Sequence, residues 1–147
     1  MPLLPATATP PCGPSEIILS VDPRDGDFNG MSHSGTYLVI RNAGPRACRV
    51  PGLPTVALHG TRGALAIALR SSARMHPAPV IIPAGGRVAS GLRWVSGPVY
   101  DRNRRLDIRS VSLVIAGRTL RTPLQAEIFA QVGRPATFSQ SPLALYR

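Results

Sequence analysis

Beyond residue 14 the chain is a succession of short apolar stretches separated by Gly, Pro, Asn and Asp. Side chains leave a strand alternately on its two faces, so alternation of apolar and polar positions marks a half-buried strand. Glu16 to Val21 is the first candidate. Thr36 to Asn42 is the second, with Tyr37, Val39 and Arg41 on one face and Leu38 and Ile40 on the other. Thr55 to His59 sets Val56 and Leu58 against Ala57 and His59, and Leu65 to Leu69 repeats the pattern. Pro79 to Ile82 is short; Arg87 to Val95 places Val88, Ser90, Leu92 and Trp94 on one side. Ile108 to Ala116 is the strongest run, its Val111, Leu113 and Ile115 opposed to Ser110, Ser112 and Val114. Thr119 to Leu120 and Leu124 to Phe129 close the set.

Turn residues recur about every 8–12 positions between these runs, the signature of an all-β antiparallel sandwich of about 7–9 short strands. Ala116-Gly117-Arg118 reads as a tight hairpin, because Gly supplies the positive φ that a two-residue turn needs. No window joins a cap to a sustained helical stripe, and 16 prolines and 14 glycines argue against long helices. Residues 1–14 hold five of the prolines and read as a tether; 15–132 form the sandwich domain; 133–147 read as an irregular tail packed on it.

Length and composition narrow the class. A chain of 147 residues, 44% hydrophobic, is one globular domain with a real core. No apolar run reaches the ~20 residues of a membrane-spanning helix. The opening Met1 to Pro5 lacks the basic and apolar regions of a secretion signal and reads as what remains after processing.

Charge changes the picture more. All 17 basic residues are arginine, against seven acids, for a formal charge of +10. Such a field favours anionic partners, and the planar guanidinium forms two-point contacts to phosphate and carboxylate. The bland reading of the missing lysine is codon bias in a GC-rich genome. Cys12 and Cys48 lie 36 positions apart with no CxxC and no ligand cluster, so zinc is a poor reading. The pair fits one disulfide made in an oxidising compartment; two free buried thiols in a cytosolic protein are the competing reading.

Several of these features occur together in a known order. Cys12 leads into a strand, and Gly35-Thr36-Tyr37-Leu38-Val39-Ile40-Arg41-Asn42 leads through a turn to Cys48. Val50-Pro51-Gly52-Leu53-Pro54 follows, and later Ile82-Pro83-Ala84-Gly85-Gly86. This resembles domain of unknown function 4232, an uncharacterised family of bacterial exported proteins that includes many lipoproteins. The resemblance covers Cys12 to about Phe129. It implies an immunoglobulin-like sandwich outside the cytoplasm, with Cys12 bonded to Cys48, and it implies no activity. Members often carry a second cysteine pair in the later strands, and Val95 to Val114 contains none.

Candidate chemistry is sparse. Asp25-Gly26-Asp27-Phe28-Asn29-Gly30 begins like a calcium loop, with Asp25, Asp27 and Asn29 as ligands. Thr36 stands at the twelfth position where a bidentate Glu is needed, so an Asx-rich solvated turn competes with the metal reading. Met31, His33, His59, Met75 and His76 are a scattered soft-ligand set for copper. Gly30 to Gly35 fails the nucleophile-elbow spacing, and the two glutamates, Glu16 and Glu127, lie near opposite ends of the chain. No complete catalytic constellation exists, so the expectation is no enzyme and no cofactor.

The best binding candidate is Asp101 to Arg109, a loop before a strong strand carrying Arg102, Arg104, Arg105 and Arg109. Trp94 and Tyr100 lie close enough in sequence to add stacking surfaces. A 5% aromatic content is too low for a nucleic-acid platform, so no nucleic-acid partner is expected. The reading is a non-catalytic periplasmic or secreted module. Its arginine-rich surface docks on an anionic cell-envelope component or a protein partner, and an exported calcium or copper binder is the alternative.

Overall fold

The computed structural model describes residues 9–26, 28–60, 63–64, 67–69 and 77–147, without the side chains of Asp25, 63–64 and 67–69. Its strands are β1 (Ile17–Asp22), β2 (His33–Asn42), β3 (Cys48–Val50), β4 (Val56–Gly60), β5 (Gly63–Ala64) and β6 (Ile67–Leu69). They continue as β7 (Val80–Ile82), β8 (Arg87–Val95), β9 (Asn103–Ile115), β10 (Arg118–Gln131), β11 (Ala136–Gln140) and β12 (Ala144–Leu145). One sheet runs β1-β2-β8-β11-β6, with β12 also on β8; a second runs β10-β9-β4-β5; β3 and β7 form a two-stranded ribbon. The molecule is an all-β sandwich; among the described residues its named strands pair antiparallel except β6, which runs parallel to β11.

The alternation in the sequence explains the layers. Leu38 and Ile40 of β2 and Val88, Leu92 and Trp94 of β8 point inward. There they meet Val56 and Leu58 of β4, Val111, Leu113 and Ile115 of β9, and Leu124 and Ile128 of β10. Each such aliphatic side chain gains about 1.5–3 kcal/mol from burial. Ile115 pairs with Arg118 across Ala116 and Gly117, both at positive φ (49° and 76°), which is the two-residue turn expected.

The odd-numbered face of β2 is not bare. Tyr37, Val39, Ala89 and Tyr146 form a second cluster on it. Phe28 packs edge-on against Tyr37 with ring centroids 4.7 Å apart. It lies over Gly35 and Gly91, where a β-carbon would come within 2.8 and 3.1 Å of its ring. The segment after β1 is thereby pinned to the sheet. Tyr146 donates its hydroxyl proton to Asp22 Oδ2, and Arg24 donates to the tyrosine oxygen at 3.0 Å while covering its ring. The tyrosine's hydrogen bond and the Arg24 backbone N–H hold the Asp22 carboxyl below the ordinary carboxylate range.

Cys12 and Cys48 are bonded and buried. Cys12 N–H donates to Arg49 O and Arg49 N–H to Pro10 O, each at 2.9 Å, while the Arg49 side chain donates to Thr9 O at 2.7 Å. The expected tether therefore ends sooner than residue 14: Thr9 onward is zipped to β3. Asn42, fully buried, performs the neighbouring closure. Its side-chain nitrogen donates to Arg46 O at 2.8 Å and Ile82 O at 2.9 Å, and its side-chain oxygen accepts from Gly44 N–H at 2.9 Å. Its backbone bonds both Gly85 and Gly86.

Three expectations need correction. The tail beyond Gly133 is not irregular: β11 and β12 pair with the free side of β8, interrupted at Ser141, whose hydroxyl accepts from Gly91 N–H at 2.7 Å. Its alternation was hidden because Phe138 and Gln140 face the core from a strand of only five residues. The two late runs are one strand, β10, whose pairing with β9 shifts register between Pro123 and Ala126. Finally β9 begins at Asn103, so the arginine segment is strand, not loop.

Removing the disulfide with a Cys12→Ala/Cys48→Ala pair is expected to lower stability by ~4 kcal/mol, the loop-closure value for this separation, as read by urea unfolding. Asn42→Ala strips two carbonyls and one N–H of their partner and should cost about 3 kcal/mol. Asn42→Asp should cost more, since a carboxylate oxygen then faces two carbonyl oxygens.

Candidate functional site

Register places three connections at one end of the sandwich. His33 pairs with Val95, so the turn before β2 and the β8–β9 loop are neighbours; β10 rises to the same end and returns through 132–135 into β11. Backbone bonds tie them in a row. Ser96 N–H donates to Ser32 O at 2.8 Å, and Val132 N–H donates to Arg102 O at 2.9 Å. Within the β8–β9 loop, Asn103 exchanges two hydrogen bonds with the Tyr100 backbone, at 2.9 and 3.1 Å. Arg104 reaches across to Arg134 O at 2.8 Å. Cys12, Asn42 and the Ala116-Gly117 turn lie at the opposite end.

The four arginines expected to bind are all exposed, but they do not form one cluster. Arg102 and Arg104 belong to the loop end, where Arg134 joins them. Sequence reasoning missed Arg134. Its signal was the Val132-Gly133 turn, with Gly133 at φ 81°, which returns the chain beside Arg102. Arg105 and Arg109 sit lower on β9, on a face shared with Asp107. The Arg105 guanidinium lies 3.7 Å from Asp107 and 3.8 Å from Glu127, which are direct cross-strand partners. Half-exposed pairs at that distance contribute ~0–1 kcal/mol, yet they neutralise much of the local charge. Among the described residues, the side chains of Arg102 and Arg109 form no hydrogen bond or ion pair.

Arg105 and Arg109 line a groove of about 730 Å³ between the sheet edges β1 and β10, with Asp107, Glu127, Ser34 and Ser96. Trp94 closes its floor. At 5% exposure the indole is a core residue and offers no face for stacking, which corrects the expectation for it. The inward phase of β8 dictates this, since Trp94 follows Val88 and Leu92 on the same side. Tyr100 is half-buried at the loop end, close to Arg102 in the chain.

The metal readings gain little geometry. Asp27 and the side chain of Asp25 lie outside the described residues, as do Met75 and His76, and Asn29 is exposed. His33 Nδ1 bonds Met31 O at 2.9 Å. His59 is buried with Nε2 2.7 Å from Ser112 Oγ, and an Arg121 nitrogen is 3.5 Å from Nδ1. The guanidinium can only donate, so the neutral ring keeps its proton on Nε2 and gives it to the serine. Among the described residues no group of three or more His, Cys, Asp or Glu is placed to hold a metal ion.

Burial first, and the Arg121 charge second, push the His59 pKa below the ordinary histidine value. The unfolded chain therefore binds the proton that the folded ring refuses. Stability is complete above about pH 6.5 and falls as the pH drops from there toward the lower folded value. Unfolding midpoints at pH 7.5 and pH 5 should separate more for the natural chain than for His59→Gln.

No curated protein and no solved structure matches the chain. One family model does, over residues 12–140, from the first half-cystine to the end of β11. That span takes in both halves of the disulfide, the Asn42 closure and all three connections at the loop end. The chain belongs to this family, described as Domain of unknown function (DUF4232).

Proposed function

We propose that the chain is a non-catalytic docking module working outside the cytoplasm, and that the arginine-bearing loop end is its docking surface. The observation that carries the reading is the convergence of Arg102, Arg104 and Arg134, all exposed, where the β8–β9 loop meets the 132–135 turn and backbone hydrogen bonds hold the two together. Across the Gly30–His33 turn, residues 96–102 and residues 132–135, Asp101 is the one acid in the sequence. Charge held on a rigid frame costs little ordering entropy when a partner arrives, which favours a binding role over a solvated face. Arginine suits phosphate or carboxylate, because its fork donates two parallel hydrogen bonds to either. The buried disulfide supports the compartment, since such bonds persist where thiols are oxidised. Among the described residues no helix is long and apolar enough to cross a membrane.

Retention on a soluble polyanion such as heparin tests the reading. The natural chain should bind at 50 mM salt and elute as salt rises, because exposed charges are screened beyond ~10 Å at 0.1 M. Arg102→Ala/Arg104→Ala should weaken retention by about tenfold with an unchanged melting temperature. Arg118→Ala, at the opposite end on β10, should behave like the natural chain. Retention indifferent to salt, or equal loss from Arg118→Ala, removes the loop end as the docking surface.

A further inference from the structure

The same loop end carries exposed apolar side chains, one on each connection. Met31 is 93% exposed, Val99 53% and Val132 44%. Each sits at or beside the tip of its turn. Gly30 and His33 exchange backbone hydrogen bonds of 3.2 and 2.9 Å, which leaves Met31 and Ser32 as a two-residue turn with φ of 50° and 63°. Positive φ is unfavourable for a residue with a β-carbon, and Asn-Gly is the ordinary choice for such a turn. A methionine is thus held in a costly conformation with its side chain in water. Val99 follows Gly97, whose carbonyl its N–H bonds at 2.9 Å, and Gly97 itself lies against Ser32. Val132 opens the 132–135 turn and bonds Arg102.

Around the Val99 and Val132 tips the charged residues are Arg102, Arg104 and Arg134 against one acid, Asp101. Arg102 is bonded to the Val132 backbone through its own carbonyl, and Arg104 reaches Arg134 next to that turn. Separate apolar tips, with arginines beside two of the three, suit a deformable, negatively charged layer better than a rigid protein face. A bilayer boundary takes in each side chain independently, while its phosphates meet the guanidiniums at the headgroup level.

We infer that this end of the sandwich docks on an anionic lipid surface, with Met31, Val99 and Val132 entering the acyl boundary and Arg102, Arg104 and Arg134 binding lipid phosphates. This inference rests on the docking reading and names its partner. The strands then stand along the membrane normal, and Cys12 is on the aqueous side.

Sedimentation with vesicles of phosphatidylglycerol in phosphatidylcholine, beside pure phosphatidylcholine vesicles and heparin, tests it. The natural chain should sediment with the anionic vesicles and not with the neutral ones. Met31→Asp should lose at least ~10-fold in vesicle affinity, the burial of one large apolar side chain, and far less in heparin retention, which feels only the added charge. The variant spares the fold, since Met31 touches no core residue and Asp tolerates positive φ better than Met. Tryptophan emission in Met31→Trp should shift to the blue on anionic vesicles and stay unshifted on heparin, against the constant background of buried Trp94. Met31→Asp binding vesicles as tightly as the natural chain, or no emission shift, overturns the lipid inference. If heparin retention through Arg102 and Arg104 persists in that case, the docking reading survives with a soluble anion or an acidic protein as partner. Loss of both removes both.

Discussion

The bond between Cys12 and Cys48 joins the segment before β1 to the strand after β2, and three backbone or side-chain hydrogen bonds around Arg49 continue the seam. Its position explains more than its energy. Among the described residues β1 is an edge strand bonded only to β2, and an edge strand of six residues frays easily. Fixing its start covalently sets the register from Ile17↔Asn42 to Asp22↔Tyr37. That register places Asp22 and Arg24 where they meet Tyr146, so the outer cluster on β2 follows from a link at the far end of the strand.

The sequence elements that carry the family resemblance turn out to be one physical object. The Ile-Arg-Asn end of β2 and the Pro-Ala-Gly-Gly turn before β8 look unrelated in the chain. In the fold Asn42 sits between them, bonded to Ile82, Gly85 and Gly86 by side chain and backbone, with Arg46 and Gly44 on its other side. An amide suits this place because it offers two donors and an acceptor on one short stem. A motif of this kind preserves a fold without preserving a ligand, which fits a family description that states no function.

The inner layers were legible because period-two alternation is strong where one face is buried and the other wet: β2, β8 and the end of β9 from Val111 to Ile115 read directly. What failed has a common cause. β3, β11 and β12 have two to five residues, too few for a period to stand out from composition. The start of β9 is hidden in the sequence because its first residues, Asn103 to Arg105, are exposed and polar or charged. A charged alternation looks like a loop until its partner strand is known. The site was legible as a charge count and not as a place. Only pairing could show that Arg102 and Arg104 share an end with Arg134 while Arg105 and Arg109 face a groove. Trp94 misled because proximity along a strand says nothing about the side on which a ring emerges.

β2 begins among the basic loops and ends at Asn42, beside the seam. Ten residues of strand at about 3.3 Å each make that about 30 Å. Cys12 and the loop end are therefore kept a sandwich's height apart by the strands between them. The domain is in this respect a rigid stand-off. A partner docked at the loops, as proposed above, would sit at that distance from the half-cystine.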